Sequence, residues 1–177
     1  NKRIKVYSPQ GAFLRQFVTG TNPHQIVINR SLGRIYVVEL SNYLTQRVGV
    51  YDLMGTAISP RIGPYGSGPG QISTPTGIGL DGGGNVYVAD VNTFSARVNK
   101  YSASGTFLLS FGSFGSFLGQ MKNPLGEAGD ADGNIHVADS GNGRIQVFDG
   151  NGNFLRAWGH PGSLPGQFSL PAVLRGD

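Results

Sequence analysis

Four times along this chain an arginine opens a short β-like run that passes through a turn into a second apolar run. These are RIKVYSPQGAFLRQF from Arg3, RVGVYDLMGTAI from Arg47, RVNKYSASGTFLLSF from Arg97 and RIQVFDGNGNFLRAW from Arg144. The arginines recur at intervals of about 44–50 residues, and self-similarity at that period restricts the chain to a repeat architecture. A single unit of this size cannot bury its own apolar face, so its copies must stack.

Two further landmarks recur in step. One is GRIYVVE from Gly33, GNVYVAD from Gly84 and GNIHVAD from Gly133. The other is a proline opening a short run, at Pro23 (PHQIVIN), Pro75 (PTGIGLD), Pro124 (PLGEAGD) and Pro171 (PAVLRGD). One unit thus reads P-x-G-I-x-x-D, G-N-I-Y-V-A-D, R-I-x-V-Y-D and G-x-F-L-x-x-F in order. Each run carries alternating or clustered β-branched and aromatic residues and is bounded by Gly, Asn, Asp or Pro, the pattern of a strand. DGGGN at Asp81 and DADGN at Asp130 supply the positive-φ positions that tight hairpins need. Most of the 29 glycines are such punctuation, and no stretch has sustained helical periodicity, so no helix is expected. Four antiparallel strands per unit at about 40–50 residues define a β-propeller blade; a leucine-rich repeat is shorter, and helical repeats show a 3.6-residue period. The fold class is all-β.

The phrase GNIHVADSGNGRIQVFDGNGNFLRAWG, Gly133 to Gly159, resembles the NHL repeat, whose pattern is close to G-N-I-Y-V-A-D-S-x-N-x-R-I-Q-V-F-D-x-x-G-x-F. The resemblance covers essentially the whole chain and is most specific in this last unit. The unit from Pro75 has VNTFSARVNKY where the family has a short Asn-Arg turn. The unit from Pro23 departs furthest, with ELSNYLTQRVGVY and no Gly-Asn before its second strand. The units fall at 1–22 (third and fourth strands only), 23–74, 75–123, 124–170 and 171–177 (the start of a further unit). Fewer than four blades are covered, whereas the resemblance implies a ring of about six. Asn1 enters at a third strand and Asp177 follows a first strand, so the chain is expected to be an interior piece of a longer polypeptide. The alternative is a short chain that closes its ring by self-association through bare blade edges.

Composition narrows the chemistry. With no cysteine there is no disulfide framework, thiolate zinc site or cysteine nucleophile. No apolar run is long enough to span a bilayer, so no membrane insertion is expected. The net charge is +4, but the fourteen basic residues are spread along the chain, and four of them are the repeat's own arginine. Some NHL propellers bind single-stranded RNA, which calls for basic residues interleaved with aromatics on one rim. A charged fraction of 14% argues against a strong phosphate-binding surface.

In a four-stranded meander the first-to-second and third-to-fourth turns share one face. The second-to-third turns and the long inter-blade connections share the other. Those connections are GPYGSGPGQISTP from Gly63, GSFGSFLGQMKNP from Gly112 and GHPGSLPGQFSLP from Gly159. Long loops on a rigid scaffold are where binding sits. Their shared Gly-Gln pairs (Gly70-Gln71, Gly119-Gln120, Gly166-Gln167) point to packing between blades. The unshared residues are the candidates for binding a partner: Tyr65, Phe114, Phe117 and His160, with Asn42, Tyr43, Asn92, Phe94 and Asn142 in the second-to-third turns.

Three enzymatic readings arise. A metal lyase of the peptide-amidating type, an NHL-like propeller, resembles this chain and implies a histidine after the first-strand proline in several blades. Only His24 stands there; its counterparts are Thr76, Leu125 and Ala172, and a zinc site needs about three protein ligands. DADGN at Asp130 resembles the start of a calcium loop but lacks the later bidentate glutamate and reads as a tight turn. No G-x-S-x-G elbow sits between a strand and a helix. Asp90 and Asp139, with Glu39 in the matching slot, recur once per blade and are expected to brace the following turn or pair with the repeat arginine.

The sequence therefore reads as a non-catalytic interaction scaffold with no cofactor, its propeller face turned toward a protein or polysaccharide. An extracellular or cell-surface assembly suits a cysteine-free, lysine-poor, glycine-rich chain. A metal-dependent lyase or hydrolase with its site in the central channel, partly on other blades, is one alternative; single-stranded RNA binding is a second.

Overall fold

The computed structural model describes residues 2–41, 46–92, 95–172 and 174, apart from the side chains of residues 59 and 60. Strands run in the order β1 (Arg3–Tyr7), β2 (Phe13–Val18), β3 (Asn22–Asn29), β4 (Arg34–Leu40), β5 (Arg47–Asp52), β6 (Ala57–Ile62), β7 (Pro75–Leu80), β8 (Val86–Asn92), β9 (Ser95–Tyr101), β10 (Phe107–Phe111), β11 (Ser113–Phe114), β12 (Gln120–Met121), β13 (Pro124–Gly129), β14 (Ile135–Asp139), β15 (Arg144–Phe148) and β16 (Phe154–Trp158). Strands β3 to β6, β7 to β10 and β13 to β16 form three four-stranded antiparallel meanders, and β1 pairs with β2 alone. The fold is a partial β-propeller of fewer than four blades, and the three complete meanders are its first, second and third blades below. First strands of neighbouring blades lie against one another, β3 on β7 and β7 on β13, so they are the innermost strands.

One element departs from the expected absence of helix. Ser140–Asn142 forms a single 3-10 turn between β14 and β15, closed by Gly143 at φ 59°. The Asn142 amide donates to both Asp139 carboxylate oxygens at 2.9–3.0 Å, which winds the chain into this turn. Among the described residues no helix is long and apolar enough to cross a membrane.

The core lies between blades. Phe17, Ile35, Val37 and Tyr51 fill the seam between the β1–β2 pair and the first blade. Tyr36, Val38, Val48, Val50 and Ile62 meet Ile78, Val86, Val88 and Tyr101 between the first and second blades. Tyr87, Ala96, Val98 and Phe111 meet Ile135, Val137 and Phe148 between the second and third. Both faces of the first and second blades are buried in this way, which is why β4 and β8 are apolar on consecutive residues rather than alternating.

The first-to-second turns of the second and third blades follow one rule. The Oδ1 of Asp81 accepts from the Asn85 amide at 2.8 Å, and that of Asp130 accepts from the Asn134 amide at 2.9 Å. Gly84 and Gly133, at φ 80° and 82°, occupy the left-handed position that lets the chain reverse between them.

Candidate functional site

Each blade is stapled by the pair its sequence repeats. The register sets Glu39 opposite Arg47, Asp90 opposite Arg97 and Asp139 opposite Arg144. The ion pairs close at 3.1, 3.0 and 2.8 Å with the carboxylates buried. The arginine then reaches past its own blade. Arg97 donates to the carbonyls of Ser67 and Gln71, and Arg144 to those of Phe117 and Gln120. The other carboxylate oxygen accepts loop amides, Ser73 and Thr74 on Asp90 and Lys122 on Asp139. The inter-blade loops are thus fastened to the blade they lead into. Glu39 is longer than the aspartates, and Gly49 leaves room for its carboxylate. There it accepts from Tyr51, whose hydroxyl is pushed up to about 12 by burial and then by this hydrogen bond.

Other basic side chains are also structural. Arg15 donates to the Leu53 carbonyl, Arg34 to that of Ala103 and Lys100 to that of Gly150, the last at 2.8 Å. Each crosses a seam to the third-to-fourth turn of the next blade.

Within the loops the shared glutamines fold back on their own backbone. The Oε1 of Gln71, Gln120 and Gln167 accepts from the amides of Gly68, Phe117 and Leu164 at 2.8–3.2 Å. Short parallel contacts complete the brace, β11 on β12, Tyr65 on Ile72 and Pro161 on Phe168. On this frame Tyr65 is 43% exposed, Phe114 51% and Phe117 78%. Leu118 and Leu164, which the sequence did not single out, are exposed beside them. His160 is exposed, with Nε2 2.9 Å from the Gln167 side-chain nitrogen. Asn142 is half-buried, its amide donating to Gly115 and Asp139. Asn92 is half-buried at the end of β8. Asn42, Tyr43 and Phe94 lie outside the described residues.

A cavity of about 630 Å³ lies on a different part of the molecule. It runs along the innermost strands, past Gln25 to Asn29 on β3, Ile78 to Leu80 on β7 and Gly126 to Gly129 on β13, toward the first-to-second turns. None of the loop residues above lines it. Asp130 is engaged by its own turn, accepting from Asp132, Asn134 and His136. Burial acts to raise its carboxyl, but these bonds hold it down at about 2. His24 is exposed on β3, and Thr76 at the matching position donates to the Pro124 carbonyl at 2.6 Å. Among the described residues no three His, Cys, Asp or Glu side chains converge on one point.

The cavity wall includes a residue that the sequence reading passed over. Glu127 sits on β13 with 2% exposure, and neither carboxylate oxygen has a hydrogen-bond partner. Burial pushes its carboxyl up to about 8. The signal was present in the repeat: PLGEAGD carries Glu where PTGIGLD carries Ile78 and PHQIVIN carries Ile26.

No known family model matches the chain, and no curated protein matches its sequence. Solved structures do. A chain of a nidogen/laminin complex superposes with TM-score 0.65 at 17% identity, covering 90% of this chain and 56% of that one. Virginiamycin B lyase from Staphylococcus aureus superposes with TM-score 0.66 at 14% identity, covering 99% and 53%. BBS1N in complex with ARL6DN superposes with TM-score 0.61 at 20% identity, covering 88% and 46%. These neighbours are propeller-like and establish the fold class; they include both binding proteins and a lyase. The chain spans about half the length of the solved structures it resembles.

Proposed function

We propose that this chain is part of an NHL-type propeller acting as a non-catalytic interaction scaffold, with its inter-blade loops turned toward a protein partner. The observation that carries this reading is Phe117. It is 78% exposed, on a backbone whose amide is held by Gln120 and whose carbonyl is held by Arg144. A large aromatic on an already ordered backbone loses little entropy on binding, which is how a few residues come to dominate an interface. Tyr65 and Phe114 extend the same loop surface. The NHL assignment is supported by the Gly133 to Gly159 phrase, and a protein partner by the nidogen/laminin and BBS1N/ARL6DN complexes among the neighbours. The test is to identify the partner by cross-linking in its natural source, then titrate it against a Tyr65→Ser, Phe114→Ser, Phe117→Ser variant. Affinity falls by roughly 100-fold or more with thermal stability unchanged; binding that survives puts the contact elsewhere.

A second reading, an enzyme with its site in the channel, is favoured by the cavity along the innermost strands and by the lyase among the neighbours. Stoichiometric zinc or calcium that resists dialysis supports it. A steep loss of single-stranded RNA binding with salt would instead indicate a phosphate-binding face. The basic side chains already engaged in bracing blades speak against that face.

A further inference from the structure

Glu127 is buried where two blades meet. A Cβ at Gly77 would run into its carboxylate, and one at Gly79 into its backbone, so the side chain lies over bare backbone of the neighbouring first strand. At the matching position of the second blade, Ile78 packs in an apolar cluster with Val27. The apolar cluster between the second and third blades draws on no first-strand residue. The inner end of that seam is therefore a carboxyl resting on Gly77 with its own backbone close against Gly79, and the same segments, Ile78 to Leu80 and Gly126 to Gly129, wall the cavity.

Among the described residues no charged side chain is paired with this carboxyl. Of the elements packed against β13, β7 has no titratable side chain, and neither does the turn at Ser140–Asn142. On β8, Tyr87 donates to Asp81, and Asp90 is paired with Arg97. On β14, His136 is bonded to Asp130, and Asp139 is paired with Arg144. An ionised Glu127 would be a buried charge with no hydrogen-bond partner among the described residues, a state that proteins avoid by keeping the proton.

We propose that the seam between the second and third blades is a proton-operated latch: Glu127 keeps it closed as the neutral acid, and loss of that proton opens it toward the channel-side cavity. The sign follows from linkage. The folded group holds its proton up to about pH 8, whereas an unfolded glutamate releases it near 4.5. The folded chain binds the extra proton between these values, so its stability falls as pH rises through that window and is level above and below it. The fall is tenfold in the folding equilibrium constant per pH unit.

The experiment compares the wild-type chain with Glu127→Gln, which keeps the shape and cannot ionise. Denaturant unfolding from pH 4 to 9.5 gives the ratio of their folding constants. Amide exchange at pH 9, corrected for intrinsic rates, locates any opening. The expected ratio declines about tenfold per unit from pH 4.5 to 8 and then levels. At pH 9 the wild type exchanges faster than the variant at 77–80 and 126–129 and equally at 25–28. A ratio constant with pH overturns the proposal, as does faster exchange spread evenly over all blades. Should Glu127→Gln fail to fold, Glu127→Leu replaces it with the same criteria.

Discussion

The seam between the first and second blades and the seam between the second and third are built from the same repeat and close differently at the channel. In the first, Ile78 and Val27 carry the apolar cluster inward to the first strands. In the second, the cluster stops short of them, and Glu127 stands over Gly77 and Gly79. The outer halves match closely: a buried carboxylate, its arginine and a glutamine-braced loop, repeated with Asp90 and Arg97 in one blade and Asp139 and Arg144 in the next. The blades thus share an outer part across both seams and differ in an inner part where a neighbour concedes volume. The two glycines are that concession, and the carboxyl is the divergence.

The comparison breaks most sharply if the odd residue is moved. Ile78→Glu places a carboxyl beside Val27 with no glycines to receive it. We expect a loss of about 4 kcal/mol or more at pH 7, read from denaturant midpoints, since an unpaired charge or an unsatisfied acid must be buried. Asp139→Ala tests the part the seams share. It removes the buried carboxylate that accepts from Arg144, Asn142 and the Lys122 amide, and about 3–5 kcal/mol is lost. Asp90→Ala gives a comparable loss, and a large inequality between the two would show that the staples differ in strength after all. Gly77→Ala restores ordinary bulk under the carboxyl and costs about 1–3 kcal/mol by overpacking. Combined with Glu127→Ala the cost is smaller than the sum, because the contact with the carboxylate is removed while that with the Leu125 carbonyl remains; strict additivity would deny that the two residues are matched. Smallest is the loop variant at Tyr65, Phe114 and Phe117, whose stability stays within about 0.5 kcal/mol of wild type by calorimetry, since all three side chains face solvent.

The architecture was legible because it rests on periodic features. Recurring arginines, Gly-Asn turns and first-strand prolines each mark one strand, and the carboxylate opposite each arginine could be anticipated from spacing alone. The 3-10 turn at Ser140 was not anticipated, because it depends on one asparagine side chain winding three residues rather than on periodicity. The exposure of Phe114 and Phe117 was open from sequence, since an aromatic in a glycine-rich loop has equal reason to tuck under it. Glu127 was visible as a break in the pattern, yet its meaning depends on which residues lie across the seam. Gly77 is about fifty residues away in sequence, and nothing in the local run reveals that the two meet.

Three basic ties between strands and third-to-fourth turns run the same way across the seams. Arg15 reaches forward to Leu53, Arg34 to Ala103 and Lys100 to Gly150, each fastening a blade to the one that follows it in the chain. The assembly therefore has a direction. As the polypeptide is synthesised, the β1–β2 pair, the first blade and the second blade each hold a cation without its turn carbonyl until the successor has folded. Folding propagates from neighbour to neighbour along such an array, and a stalled or truncated chain is marked by the one basic side chain still waiting at its growing end.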